Sequence, residues 1–209
     1  NDYCDSDNII DLEISAEVCL RQKENLGYGR AINSLVSTFE KLPPYIGVLN
    51  QDLVWDQGTF EKMLYWLNKN PEVSLAVPKI IDDTGKVQKL CKRHPTVLGL
   101  FSRRFIWSWL KPKWLLNYDR WYEMSSYNYN QVFEAQYLSG CCMIIRGESF
   151  VRIGGFDERF FLYLEDADLT RRLACEGKCI HLPIAEVQHD WGRGNYKSFL
   201  LMLVNLKSA

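Results

Sequence analysis

GGFDERFFLYLEDADLTRRL, residues 154–173, places two glycines and a run of aromatic and aliphatic side chains directly ahead of Glu165, Asp166 and Asp168. A carboxylate buried among Phe160, Phe161, Leu162 and Tyr163 is costly unless something pairs with it. Local physics leaves two readings open. In the first, the acids oppose the dipole of a helix that starts here, pair with Arg171 and Arg172 one turn later, and stay wet. In the second, one acid faces a cleft as a general base. Either way the segment 165–178 is expected to be a helix, closed by Gly177.

Outward from this stretch, apolar runs and helical spacings alternate along the chain. AEVCLR (16–21) is predicted as a strand, 26–42 as a turn and helix, and YIGVLNQD (45–52) as a buried parallel strand. A helix within 57–70 follows, with Phe60, Met63, Leu64 and Leu67 at helical spacing and Pro71 just after its end, then a strand in 73–80 and a turn in 82–87. AQYLSGCCMIIR (135–146) is predicted as a strand with Gly140 in its middle, and 179–190 as the last strand. This alternation predicts one α/β domain over 1–209, a three-layer sandwich around a mainly parallel mixed sheet. Ligands on such sheets sit at the carboxyl ends of the strands.

Bulk properties narrow the function. With 209 residues, 47% of them hydrophobic, the chain suits one domain with a sizeable core. A net charge of -1 gives no bias toward nucleic acid. The seven cysteines contain no Cys-x-x-Cys pair and no zinc spacing, so buried reduced thiols in a cytoplasmic protein are expected. No signal peptide and no apolar run of about 18 residues is present.

Further stretches carry candidate chemistry. In ENLGYGRAIN (24–33), Gly27 and Gly29 permit a tight turn before a helix whose free N–H groups suit an anion. Asp52 ends LNQD (49–52), where a carboxylate suits either a divalent metal or a helix cap. His189 begins HDWGRGN, and a lone histidine is usually structural. LGLFSRRFIWSWLKPKWLLNY (98–118) interleaves aromatic and basic residues, which fits both a membrane-interface face and a helix packed on the sheet.

In this order, NLGYGRAIN, VLNQD, VPKIIDDTGKVQ, SGCCMIIRGESFVRIGGFDERFFLYLEDADLTRRL and the closing HDWG together resemble family-2 glycosyltransferases. The resemblance runs from about residue 18 onward and leans toward bacterial rhamnosyltransferase-like enzymes of O-antigen, capsule or cell-wall polysaccharide synthesis. It implies a GT-A fold and inverting transfer of a sugar, rhamnose among the candidates, from a dTDP- or UDP-linked donor to a glycan or polyprenyl-linked acceptor. It makes Glu165 and Asp166 the catalytic acids, with Asp166 as base. It makes Asp52 the contact to Mg²⁺ or Mn²⁺, places His189 beside the metal or diphosphate, and puts Asn25, Gly27 and Asn33 on the nucleotide side. Gly140 falls on the small residue of the acceptor-side strand. A cytoplasmic enzyme, peripheral on the inner face of the membrane, is the expectation.

The start departs from that pattern. NDYCDSDNIIDLEISAEV lacks the hydrophobic strand and second-strand Asp turn that hold the nucleotide base in such enzymes, so the nucleotide-binding part is expected to be incomplete here. That departure also keeps a rival open, a non-catalytic sugar-binding or scaffold subunit of a polysaccharide assembly complex.

Overall fold

The computed structural model describes residues 20, 22–96, 99, 102 and 106–189. The strand expected over 16–21 and the apolar segment 195–209 lie outside the described residues. In chain order the elements are α1 (Tyr28–Val36), β1 (Tyr45–Leu49), β2 (Leu53–Trp55), α2 (Thr59–Lys69), β3 (Val73–Ile81), a 3-10 turn Ser108–Leu110, α3 (Lys113–Tyr122), β4 (Phe133–Glu134), β5 (Cys142–Arg146), α4 (Gly147–Arg152), α5 (Glu165–Leu173) and β6 (Lys178–His189).

The strands form one sheet in the order β1-β5-β3-β6-β2, with β4 also pairing with β6. Side-chain alternation sorts its two faces. Leu75, Val77, Met143, Ile145 and Cys179 look to one side, where Ile32, Phe150, Phe156, Leu169 and Leu173 from α1, α4, α5 and their connections cover them. Ala76, Ile144, Ile180 and Leu182 look to the other, under Met63 and Leu67 of α2. The three layers expected from the alternation are present.

The sheet is mixed, but the expectation of mainly parallel pairing is corrected. Among the described strands only β3 with β6 is parallel; β1–β5, β3–β5, β2–β6 and β4–β6 are antiparallel. β1 is likewise not a buried parallel strand: it lies at the edge of the described sheet, antiparallel to β5, with alternate residues exposed. Apolar runs report burial, not strand direction, and β5 is buried on both faces while antiparallel to both neighbours. Gly140 is also not in a strand, since β5 begins at Cys142. Its N–H and C=O are committed to side chains, described below, in place of a ladder.

One irregularity positions the site. Pro78 pairs with Leu182, yet Lys79 pairs with Glu186, so three residues of β6 bulge out around Pro183. Beyond the bulge β6 bends to meet β2, with Leu53 opposite His189. Asp52 and His189 therefore arrive at the same sheet end from distant parts of the chain. Of the described cysteines, all free, Cys91, Cys141, Cys142 and Cys179 are buried and Cys175 is exposed. Burial pushes the Cys141 thiol up to about 11 and the Cys179 thiol up to about 12, so neither is a thiolate at neutral pH.

Candidate active site

The 154–164 loop is clamped from the helix that follows the first glycine motif. Asn33 donates from Nδ2 to the Phe156 carbonyl (2.8 Å) and accepts the Phe156 N–H on Oδ1 (2.9 Å). Gly155, at φ 73°, passes so close that a Cβ there would lie 2.4 Å from Asn33 Oδ1. Gly27, at φ 80°, backs onto Phe161, whose carbonyl oxygen would stand 2.3 Å from an added Cβ. Tyr28 N–H donates to that same carbonyl (3.0 Å). From the other side, Arg172 donates to the Ile153 (2.9 Å) and Gly155 (2.7 Å) carbonyls and to Asp168 Oδ2 (2.7 Å). The paired, structural reading of the acids thus holds for Asp168.

Glu165 and Asp166 are treated differently. Tyr163 and Leu164 both adopt left-handed backbone, at φ 72° and 68°, a conformation non-glycine residues rarely occupy. The clamps hold that geometry, which starts α5 at Glu165. Glu165 is only 6% exposed, and its Oε2 has no hydrogen-bond partner. Burial first, then the neighbouring Asp166 charge, pushes it up to about 8. Asp166 is half-buried, and Oδ2 accepts from Gly140 N–H (2.9 Å) and the Tyr137 hydroxyl (3.2 Å). Its Oδ1 accepts Ala167 N–H (2.9 Å). Burial raises the Asp166 carboxyl above the ordinary aspartate range, opposed by Gly140, the Lys92 charge, Tyr137 and Ala167.

A single turn joins this carboxylate to the second site. Gly140 donates to Asp166 and accepts the Tyr28 hydroxyl (2.6 Å), while the Cys141 carbonyl accepts Asn50 N–H (2.9 Å). Two residues beyond Asn50, Asp52 Oδ2 stands 3.3 Å from His189 Nε2. Gln88 donates from Nε2 to the His189 carbonyl (2.8 Å), and its Oε1 faces His189 Nδ1 (3.3 Å). With the amide oriented by the first bond, Nδ1 donates to Gln88 Oε1, and Nε2 is left facing the Asp52 carboxylate oxygen. Two cis ligands of an octahedral cation stand about 3 Å apart. The pair fits a divalent metal, with Gln88 as the outer support such a histidine requires.

Comparison with known proteins now decides the lineage. Residues 16–154 match the family "Glycosyl transferase family 2". The chain belongs to glycosyl transferase family 2. An "N-acetylglucosaminyl-diphospho-decaprenol L-rhamnosyltransferase" of Mycobacterium tuberculosis is 30% identical over 179 residues, 79% of this chain and 56% of that protein. A shorter match, 44% identical over 43 residues, links 21% of this chain to 16% of "Rhamnosyltransferase WbbL" of Escherichia coli. This family-2 chain therefore spans about half the length of the longer-matching curated relative. The structure of GalNAc-T7 with UDP, GalNAc and Mn²⁺ superposes with a TM-score of 0.60 at 16% identity, over 88% of this chain and 34% of that one. The fold is an α/β GT-A fold.

The resemblance placed three residues of this family-2 chain on the nucleotide side. The structure gives each a local contact. Asn33 spends its carbonyl oxygen on the loop backbone, and its Nδ2 reaches the Phe156 carbonyl and Glu158 (3.3 Å). Gly27 is packed against Phe161, and Asn25 Oδ1 accepts Gly27 N–H (2.9 Å). Sequence reasoning missed Tyr28, Gln88, Lys92 and Tyr137. No spacing announces them: Tyr137 meets Asp166 from 29 residues away, and Gln88 meets His189 from 101.

Proposed function

We propose that this family-2 domain catalyses inverting glycosyl transfer from a nucleoside-diphosphate sugar to a lipid-linked acceptor, with Asp166 as general base. The observation that carries the reading is one turn, Gly140–Cys141, touching both the half-buried Asp166 carboxylate and the β1–β2 turn that bears Asp52. In one step the acceptor hydroxyl gives its proton to Asp166 as its oxygen bonds to the anomeric carbon, and the bond from that carbon to the diphosphate oxygen breaks. Oδ2 of Asp166 already holds two donors and Oδ1 only one. The incoming proton therefore goes to Oδ1. A carboxylate raised by burial is a stronger base than a solvated one, and its hydrogen bonds from Gly140, Tyr137 and Ala167 favour the charged form that accepts the proton.

Asp52 and His189 would hold Mg²⁺ or Mn²⁺, which supplies charge to stabilise the departing diphosphate. Among the described residues no group of three His, Cys, Asp or Glu converges, so Asp52 and His189 are the protein groups that would hold it. The curated relatives are named as rhamnosyltransferases, and one name includes a diphospho-decaprenol acceptor. Rhamnose on dTDP and a polyprenyl diphosphate acceptor are therefore the first substrates to try. Exposed Trp107, Trp109, Leu110 and Trp114, with Lys113 beside them, support docking at the surface where such an acceptor lies; Lys111 is instead turned inward to Asp119. No described helix is long and apolar enough to cross a membrane.

Calorimetric titration of UDP and dTDP, each with and without Mn²⁺, tests the reading. Metal-dependent binding of one nucleotide that Asp52→Asn removes is expected, and Asp166→Asn should bind nucleotide normally yet lose transfer. Full transfer by Asp166→Asn overturns the assignment of the base.

A further inference from the structure

Lys92 and Tyr137 lie outside the acidic motif, and no resemblance or spacing gives either a role. They face each other across an antiparallel bridge, each N–H donating to the other's carbonyl at 2.9 Å. This double bond fixes both backbones, and with them the directions of the two side chains. The Lys92 ammonium stands 4.8 Å from the centre of the Tyr137 ring. The hydroxyl at the far end of that ring donates to Asp166 Oδ2 at 3.2 Å. The ring is 8% exposed, so water does not compete well for its hydroxyl.

We infer that Lys92 and Tyr137 are positioning residues for the reaction, a cation–ring–hydroxyl unit that holds Asp166 Oδ2 and thereby assigns proton transfer to Oδ1. The inference rests on Asp166 being the base. Its physical content is a division of labour within one carboxylate. Gly140 N–H and the Tyr137 hydroxyl fill the two lone-pair directions of Oδ2, and these are the bonds a carboxylate in a dry site needs to remain charged. A cation over an aromatic face is attracted to it, and it also draws density from the phenol, which makes the hydroxyl a better donor. Tyr137 is itself held well above the ordinary tyrosine range, by burial and then by Asp166, so it stays a neutral donor throughout the working range.

Every charged or titratable neighbour has to be weighed in such an arrangement. Facing Asp166 are Glu165 on the same helix, Tyr28 on α1, Tyr137 and Cys141 flanking the Gly140 turn, and Lys92 on the opposing bridge. The Asp166 charge helps to raise Glu165, and Tyr28 reaches Asp166 through Gly140. Lys92 is the one positive charge in this set. Removing either Lys92 or Tyr137 therefore moves the same quantity in the same direction.

The experiment uses the full chain, wild type and Tyr137→Phe, Lys92→Met and Lys92→Arg, with Asp166→Asn as reference. The pH dependence of kcat/KM for transfer from dTDP-rhamnose to a short-chain N-acetylglucosaminyl-diphospho-prenol gives one readout. A carbon-13 NMR titration of the Asp166 carboxyl gives a second that needs no substrate. Tyr137→Phe should move the acid limb and the carboxyl midpoint upward by about one pH unit. The resulting loss is about tenfold well below the limb and no more than about twofold on the alkaline plateau. Lys92→Met should move both readouts the same way by less, Lys92→Arg should restore most of the shift, and the double variant should fall short of additive. A residue with only a packing role lowers activity equally at all pH values, and an unmoved midpoint in folded Tyr137→Phe overturns the inference. Loss of the base reading is recognised separately, by transfer surviving in Asp166→Asn.

Discussion

Glu165→Gln isolates the most unusual carboxyl in the structure. Glu165 is 6% exposed, with one oxygen lacking any partner, and burial beside Asp166 lifts it from an ordinary 4.5 to about 8. Its folded-state value lies above its unfolded one. Between the two, the folded protein retains a proton that the unfolded chain has released. Stability is therefore full below the unfolded value and falls as pH rises, by up to ~1.4 kcal/mol per pH unit for this one group. Across the whole window the loss is on the order of 5 kcal/mol, a large share of a domain's total stability. Glutamine keeps the shape and cannot ionise, so Glu165→Gln should lose this component of the slope. The assay is urea denaturation at pH 5, 6, 7 and 8 in the absence of ligand. The variant should match the wild type near pH 5 and be more stable by several kcal/mol at pH 8. Parallel wild-type and variant profiles would refute the claim that Glu165 is buried and protonated.

Three further outcomes follow from the same geometry. Asn33→Ala leaves the Phe156 N–H and carbonyl without their partners, so a loss of about 1–3 kcal/mol is expected by denaturation, with nucleotide affinity changed only if the loop moves. An unchanged midpoint with nucleotide affinity lost would contradict the clamp and support the nucleotide-side expectation for Asn33. Gly27→Ala adds a Cβ 2.3 Å from the Phe161 carbonyl oxygen at φ 80°, which should destabilise by about 2 kcal/mol or more and loosen the start of α5. Stability within experimental error of wild type would contradict that packing. Trp109→Ser with Trp114→Ser should weaken co-sedimentation with anionic vesicles by about tenfold while leaving nucleotide binding intact, and equal sedimentation of variant and wild type counts against a membrane face.

Several features were legible in the sequence because they follow from local rules. The helical spacing of Phe60, Met63, Leu64 and Leu67 gave α2, and the apolar runs around Leu75 and Ile180 gave β3 and β6. The acids after GGFDERFFLYL begin α5 as their pattern predicts, because a first helical turn favours negative charge. Two things were settled only by tertiary contact. Strand direction was one: a run of apolar residues satisfies a parallel or an antiparallel neighbour equally, and here β5 takes the antiparallel arrangement on both sides. The division of the acids was the other. Asp168 is paired with Arg172, while in the same first turn Asp166 is held by Gly140 and Tyr137 and Glu165 is buried with one oxygen unpartnered. Spacing along a helix fixes which way each acid points. Which of them meets a cation, a hydroxyl or nothing depends on chain segments tens of residues distant, and only folding brings those together.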